Sequence, residues 1–488
     1  MPQPIARRVA TRRAVLGVVG TVLVVLVVAA SGQLVVAYVV LAAFGFAWIA
    51  LLRPEVGLAV LTFSMYTNLP AVLGNQHGFT SLSEGLLALL AAIALLRFLR
   101  RGELGRDLIA VALVLFVYLV SLASTAMIAP DPQLTLSGVI GTTKETVFVL
   151  LIVALLTDWR RLQWAVGGLV CGAVLVATIT VLQYALGMYD NNFGGLANAQ
   201  MHQIAGELDS WRVSGPLSDA NYYAQMLLLA LPFGFEALRH GKSPLFRLLG
   251  LAAGVLIVLA IFLTFSRGAL VAIAVVLVAL LWQRRAQMLG IGAVATLVLV
   301  AAVQYLPLGY FERVKAGVTD VTTIVTGEGY ITDMAVAGRR SEMLVAVHLF
   351  RENPVLGVGY NQYESLYQDN ARRHGLMARG SDRQAHSLYV EVLAERGLVG
   401  GMLFAALLMF AFGAVLRSVR RLGEAELSAP RGAARAVGFG LLGYMTAAIF
   451  LHDGYPHYFW LAFALAASLP QVTANLTSRV ARNTRLTT

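Results

Sequence analysis

Phe246 to Trp282 reads FRLLGLAAGVLIVLAIFLTFSRGALVAIAVVLVALLW. Two apolar runs, 246–265 and 269–283, flank the short polar turn Thr264-Phe265-Ser266-Arg267-Gly268. A helix needs about 20 apolar residues to cross a bilayer, and about 17 can suffice. The stretch therefore reads as two membrane spans joined by a tight turn. The pattern recurs at 14–30, 33–52, 55–73, 83–99, 107–128, 145–157, 163–187, 222–238, 287–306, 398–416, 434–451 and 457–475. With the opening pair that gives fourteen spans; 55–73, 145–157 and 269–283 are short or interrupted, and twelve is the alternative count.

Composition points the same way. Of 488 residues, 58% are hydrophobic and only 13% charged, about half the charge a soluble domain carries on its surface. The expected fold is an all-α polytopic bundle with most of its surface against lipid. Arg7, Arg8, Arg12 and Arg13 precede the apolar run from Ala14 to Ala30, which resembles a signal peptide but is read as an uncleaved first helix. The single cysteine, Cys171, excludes an intramolecular disulfide and a cysteine metal site.

The net charge of +11 does not signify nucleic-acid binding, because the cations sit in short clusters between apolar runs. With fourteen spans Arg53, Arg97 to Arg106, Arg160 and Arg161, Arg239 to Arg247, Arg284 and Arg285, Arg417 to Arg435 and Arg479 to Arg485 all fall on the cytoplasmic side. Both termini are then cytoplasmic. Two long loops, 188–221 and 307–397, face outward, and the chain divides into 1–200, 201–306, 307–397 and 398–488. In the second loop, helices are expected over Ser341–Asn353, with Met343, Val347 and Phe350 on one face, over Gln362–Arg373 and over Ala385–Arg396. Val318 to Val336 lacks helical periodicity.

The middles of the predicted spans carry no ionisable residue, which argues against an ion- or proton-coupled transporter. The unusual polar residues gather at the outer boundary. Arg267 lies in an outward turn where the positive-inside rule would not put it, suited either to bidentate phosphate binding or to snorkelling. Arg212, in Trp211-Arg212-Val213-Ser214-Gly215-Pro216, and Asn221, just before a span, are placed to hold a ligand or to serve an ion pair and a helix cap. Lys144 is a lone outer cation at a span start. Arg339 and Arg340 open the Ser341 helix; one is a structural partner for Glu342, while Arg340 beside a helix N-terminus suits an anion. His386 begins a helix, where the dipole disfavours imidazolium and leaves a neutral general base; a lone structural histidine is the alternative. His452-Asp453-Gly454-Tyr455 carries rings that suit the membrane interface or stacking on sugars, and the histidine–aspartate pair lacks further ligands at metal spacing. Gly357-Val358-Gly359 is a fragment of a nucleotide loop without the strand–helix unit around it, and is discounted.

Taken together, Arg212-Val213-Ser214-Gly215-Pro216 with Asp219-Ala220-Asn221, Thr264 to Gly268, Gly338-Arg339-Arg340, Asn353 to Gly359, His386-Ser387-Leu388-Tyr389 and Glu395 to Gly400 resemble the O-antigen ligase-related family of bacterial membrane glycosyltransferases. The resemblance covers roughly 200 to 475. It implies a glycan carried on undecaprenyl diphosphate and passed to a sugar or protein hydroxyl outside the cytoplasmic membrane, with no nucleotide sugar; no cofactor and no metal ligand is assigned. By position, Arg267, Arg340 and Arg212 would hold the diphosphate, with Arg339 and Lys144 beside them. His386 would be the base, and Asn221, Tyr389, His452 and Tyr455 would meet the substrate. Ser387 stands where asparagine is frequent in the family, and Met343 where an aromatic is common. Expected partners are the lipid-linked glycan, its acceptor, the bilayer, and other polysaccharide assembly and export proteins. The competing readings are a flippase or transporter of a lipid-linked glycan or small anion, which requires a polar path across the midplane, and a non-catalytic scaffold, which requires no convergence of these residues.

Overall fold

A computed structural model of the chain describes residues 49–77, 82–101, 105–204, 208–282, 334–378, 383–452 and 454–487. The expected spans 14–30, 287–306 and most of 33–52, and the segment Val318–Val336 up to residue 333, lie outside them. Each remaining span has a helical counterpart: α1 (Pro54–Tyr66), α2 (Leu69–His77), α3 (Leu82–Arg101), α4 (Arg106–Ser124), α5 (Pro132–Leu155), α6 (Trp159–Ala185), α7 (Ala220–His240), α8 (Pro244–Leu263) and α9 (Arg267–Trp282). After the long loop come α12 (Leu388–Glu424), α13 (Ser428–Ala447) and α14 (Pro456–Thr487); the loop itself supplies α10 (Met334–Glu352) and α11 (Tyr363–Arg373). Among the described residues, six helices are long and apolar enough to cross a membrane. The pair α1 and α2 is bent by 59° at the break between them, which is where the expected span 55–73 is interrupted. The chain is a polytopic helical membrane protein.

Helices approach closely where side chains are small, as expected when packing rather than water exclusion drives association in lipid. A Cβ on Gly168 of α6 would lie 2.0 Å from the Ala59 carbonyl of α1, and Thr62 donates to the Ala165 carbonyl across the same contact at 2.7 Å. On α7, every residue from Tyr222 to Phe233 is buried, and Gly440 of α13 lets the Leu229 backbone come within contact. Helix α7 packs on α8 and α13, and α14 packs on α12, α5 and α13.

The two ends of the bundle differ in chemistry. At one end Arg160 meets Glu55 at 3.5 Å, and Glu236 and His240, 2.9 Å apart, lie beside Gly432. At the other, Asn68 donates to the Pro216 carbonyl, and the segments around 125–131 and 360–362 interlock. The sequence motifs occupy this second end.

Three expectations change here. The loop 188–221 is not wholly irregular: β1 (Asn198–Ile204) and β2 (Leu208–Gly215) form an antiparallel hairpin that pairs Gln200 with Arg212. The span expected at 145–157 begins at Pro132, because Asp131 caps the helix by accepting from Gln133 and Leu134 and Tyr360 packs along its polar first turns, meeting Thr142 at 2.8 Å. Lys144 and Glu145 therefore sit halfway along α5, so an apolar helix does carry ionisable residues near its middle. Finally, α10 starts at Met334, not Ser341. Its buried face is Glu342, Val345, Ala346 and Leu349 rather than Met343, Val347 and Phe350, since a glutamate occupies the first position of the inward stripe.

Candidate functional site

Two family-like motifs in the long loop hold one another. The stretch Pro354 to Gly359 runs along α12 at its break. Leu398 and Val399 donate to the carbonyls of Pro354 and Val355, and Val358 and Gly359 donate to those of Ala394 and Glu395, all at 2.8–3.1 Å. The break is at Gly397, whose φ of 59° and ψ of −160° belong to a region only glycine enters freely. A Cβ there would meet the Val355 carbonyl oxygen at 2.3 Å, and one on Gly357, at φ 72°, would meet the Glu395 carbonyl carbon at 2.3 Å. The clasp satisfies backbone groups that the break would orphan. Gly357-Val358-Gly359 is therefore a packing device, in keeping with the rejection of a nucleotide loop.

The clasp fixes the start of α12, and with it the segment that carries His386. Leu388 donates to the carbonyls of Leu451 and Ala448 at 2.7 and 3.0 Å, pinning this segment to the turn between α13 and α14. His386 itself has a φ of +47°, an uncommon conformation for a residue with a side chain. Its Nε2 lies 3.6 Å from Oε2 of Glu342, which is 1% exposed on α10. Its ring meets that of His452 edge to face at 5.5 Å. Nδ1 of His452 is 2.6 Å from the Tyr222 hydroxyl, and Tyr455 bonds Ser218 at 2.8 Å while its ring sits 5.0 Å from Tyr222. Burial, then the neighbouring His386, push the His452 imidazole down to about 3, so it is neutral at ordinary pH.

Tyr222 and Asn221 are consecutive on the first turn of α7, which Asp219 caps by accepting from both backbone N–H groups. Tyr222 turns to the histidines. Asn221 turns to Arg212, accepting from its Nη2 at 3.2 Å, while Nε of Arg212 donates to the Thr264 carbonyl at 3.0 Å. Arg212 is buried. Thr264 closes α8, Phe265 follows at φ +52°, and Arg267 is the first residue of α9, half-buried at a helix N-terminus. Phe450, in the same turn as His452, packs over Gly268.

A continuous path of contacts thus runs from the Arg212–Thr264 turn through Asn221 and Tyr222 to His452, His386 and Glu342. Arg212, Asn221, His386, His452 and Tyr455 lie on it, and Arg267 lies three residues beyond Thr264. Arg339 and Arg340 are exposed, six residues inside α10 rather than at its N-terminus, so the dipole argument for an anion does not apply to them. Tyr389 donates to the Met445 carbonyl at 2.8 Å and packs on Phe404, a brace between α12 and α13. Lys144 is exposed on α5. Sequence reasoning missed Tyr222 and weighed Glu342 only as a partner for an arginine. The signal for Glu342 was its place three and four residues before Val345 and Ala346. Among the described residues no group of three histidines, cysteines or carboxylates suits a metal, and Asp453 lies outside them.

Residues 252–405 match the sequence model of the O-antigen ligase family. Over those residues the chain is similar to that family. No curated protein matches it. The O-antigen ligase match holds Arg267, Arg340, Glu342, His386 and both halves of the clasp; Arg212, Asn221, Tyr222 and His452 flank it. In general terms the molecule is a multi-pass membrane glycosyltransferase of the O-antigen ligase and polymerase kind.

Proposed function

We propose that this enzyme moves a glycan from an undecaprenyl-diphosphate carrier to an acceptor hydroxyl at the periplasmic face of the bacterial inner membrane, as a ligase or polymerase. The observation that carries the reading is the contact path joining Arg212 and the Arg267 turn to His386. A diphosphate leaves more readily when fixed positive charge meets the charge it gains. Arg212 and Arg267 supply that charge, with Arg340, Arg339 and Lys144 as outlying cations. The acceptor hydroxyl must lose its proton as its oxygen attacks the anomeric carbon, and His386 takes it. Asn221 orients Arg212; His452 and Tyr455 present rings and polar edges to sugar, and Tyr389 supports the wall behind them. Sites lined by aromatic rings with a few polar groups are the kind that fit saccharide faces.

The test uses purified full-length protein with donor lipid extracted from the producing cells. His386→Ala and Arg267→Ala are each expected to lower transfer by 10²-fold or more, on the order expected for a general base or a charge clamp, while elution from size exclusion stays that of the parent protein. Parent-like transfer by both variants overturns the assignment.

A further inference from the structure

The geometry points to Glu342 as a positioning carboxylate for His386: it lies 3.6 Å from Nε2 and favours the protonated ring. This rests on the reading of His386 as the base. Three observations support it. Glu342 is 1% exposed, on an inward stripe that Val345, Ala346 and Leu349 otherwise fill with apolar atoms, so packing alone asks for no charge there. Its carboxylate lies 3.6 Å from the imidazole, an ion-pair separation of a kind that shortens when substrate completes a site. Its own position is fixed twice: by α10, and by the Tyr363 hydroxyl, which donates to the Glu342 carbonyl at 2.6 Å. The imidazole is fixed too, since the buried Ala385 and Ser387 flank a residue held at φ +47°.

Other ionisable groups surround the pair. His452 meets the His386 ring from the turn after α13. Glu391 lies one turn into α12, and Glu391, Glu395 and Glu342 all act on Tyr363 of α11. Arg340 stands two residues before Glu342 and Arg383 three before His386.

A carboxylate beside the ring holds its orientation and favours the imidazolium that forms when His386 takes the acceptor's proton. In the step, the acceptor O–H bond breaks and its proton passes to the His386 imidazole. Its oxygen bonds to the anomeric carbon, and the bond from that carbon to the diphosphate breaks with its electron pair leaving on the diphosphate.

Removing the charge has a readable sign. A nearby carboxylate favours the protonated ring, so in Glu342→Gln the neutral ring persists to lower pH. The experiment measures carbethoxylation of His386 by diethylpyrocarbonate, followed by peptide mass spectrometry between pH 5 and 8, alongside transfer with extracted donor lipid. Parent, Glu342→Gln, Glu342→Asp and His386→Ala proteins are compared. Glu342→Gln is expected to cut the transfer rate on the order of 10²-fold with KM for donor little changed, and to move both the acid limb of the rate profile and the midpoint of carbethoxylation to lower pH. Glu342→Asp restores part of the rate and of the midpoint. An unmoved carbethoxylation midpoint in both Glu342 variants overturns the proposal, whatever the rate does, because it leaves Glu342 a packing role alone. Parent-like transfer by His386→Ala overturns the base reading itself, and the two failures are told apart by that variant.

Discussion

The same end of the bundle holds charge in two ways. On the side built by the hairpin and the α8–α9 turn, a cation is buried: Arg212 spends Nε on the Thr264 carbonyl and Nη2 on Asn221. On the side built by the long loop, α10 buries an acid, Glu342, beside an imidazole, while Arg339 and Arg340 of the same helix stay exposed. The first side is braced by side chain-to-backbone hydrogen bonds. The second is braced chiefly by backbone-to-backbone hydrogen bonds, through the clasp of 354–359 on the break in α12, with the Tyr363 hydroxyl on the Glu342 carbonyl beside it. On the proposed reading, a cation for the leaving group and a base for the nucleophile are fixed with different materials, and among the described residues the two sides meet at α7's first turn and at the turn after α13.

The sharpest way to break the comparison is Gly397→Ala. The added methyl group meets the Val355 oxygen at 2.3 Å, in a backbone region that costs non-glycine residues 1–3 kcal/mol before any clash. A total of about 3 kcal/mol or more is expected. Thermal unfolding in detergent should show the loop side failing first, with protease cutting within 354–400 before any cut in the hairpin. Simultaneous loss of both sides would mean that the clasp and the hairpin form one cooperative unit.

Next in size is the contrast between Arg212→Ala and Arg340→Ala. The first strips a buried carbonyl and a half-buried amide of a charged donor, a loss of about 2–3 kcal/mol, and should lower Tm as well as transfer. The second removes an exposed side chain and should leave Tm within a degree or so while raising KM for the donor. Equal drops in Tm would place Arg340 in a structural role and erase the distinction between the two sides.

How much of this was legible follows from where each signal lives. Hydrophobic runs mark helices because lipid forces the backbone to satisfy itself, and each described span has a helix over it, several running well past the expected ends. The exceptions have local causes. Pro132 to Thr143 is too polar to read as a span, yet Asp131 caps it and Tyr360 covers it. The hairpin at 198–215 lies among residues whose alternation is broken by short polar stretches. Cations were legible in the outer turns because they defied a charge rule. Glu342 was not, because a charged residue on a helix is ordinarily taken as solvated, and here the tertiary partner, His386, is 44 positions away. The clasp was visible only as two glycine-containing motifs, since nothing in either says that it binds the other.

The smallest effect expected is also the one that reports on the junction of the two sides. His452 is a neutral imidazole in the fold, pushed down to about 3 chiefly by burial, against about 6.5 in an unfolded chain. Between those values the unfolded chain binds a proton that the folded chain refuses, so stability rises with pH across that window. The contribution is fully present above pH 6.5 and is lost, at about 1.4 kcal/mol per unit, as pH falls below it. Comparing Tm at pH 7.5 and 5.5 for the parent and for His452→Gln isolates this term, because every other titrating group is shared. A smaller drop in the variant is expected, by a few degrees at most. An equal drop would mean that His452 takes up its proton within the fold, and that the turn joining Tyr222 to His386 opens to water rather than sealing the two sides together.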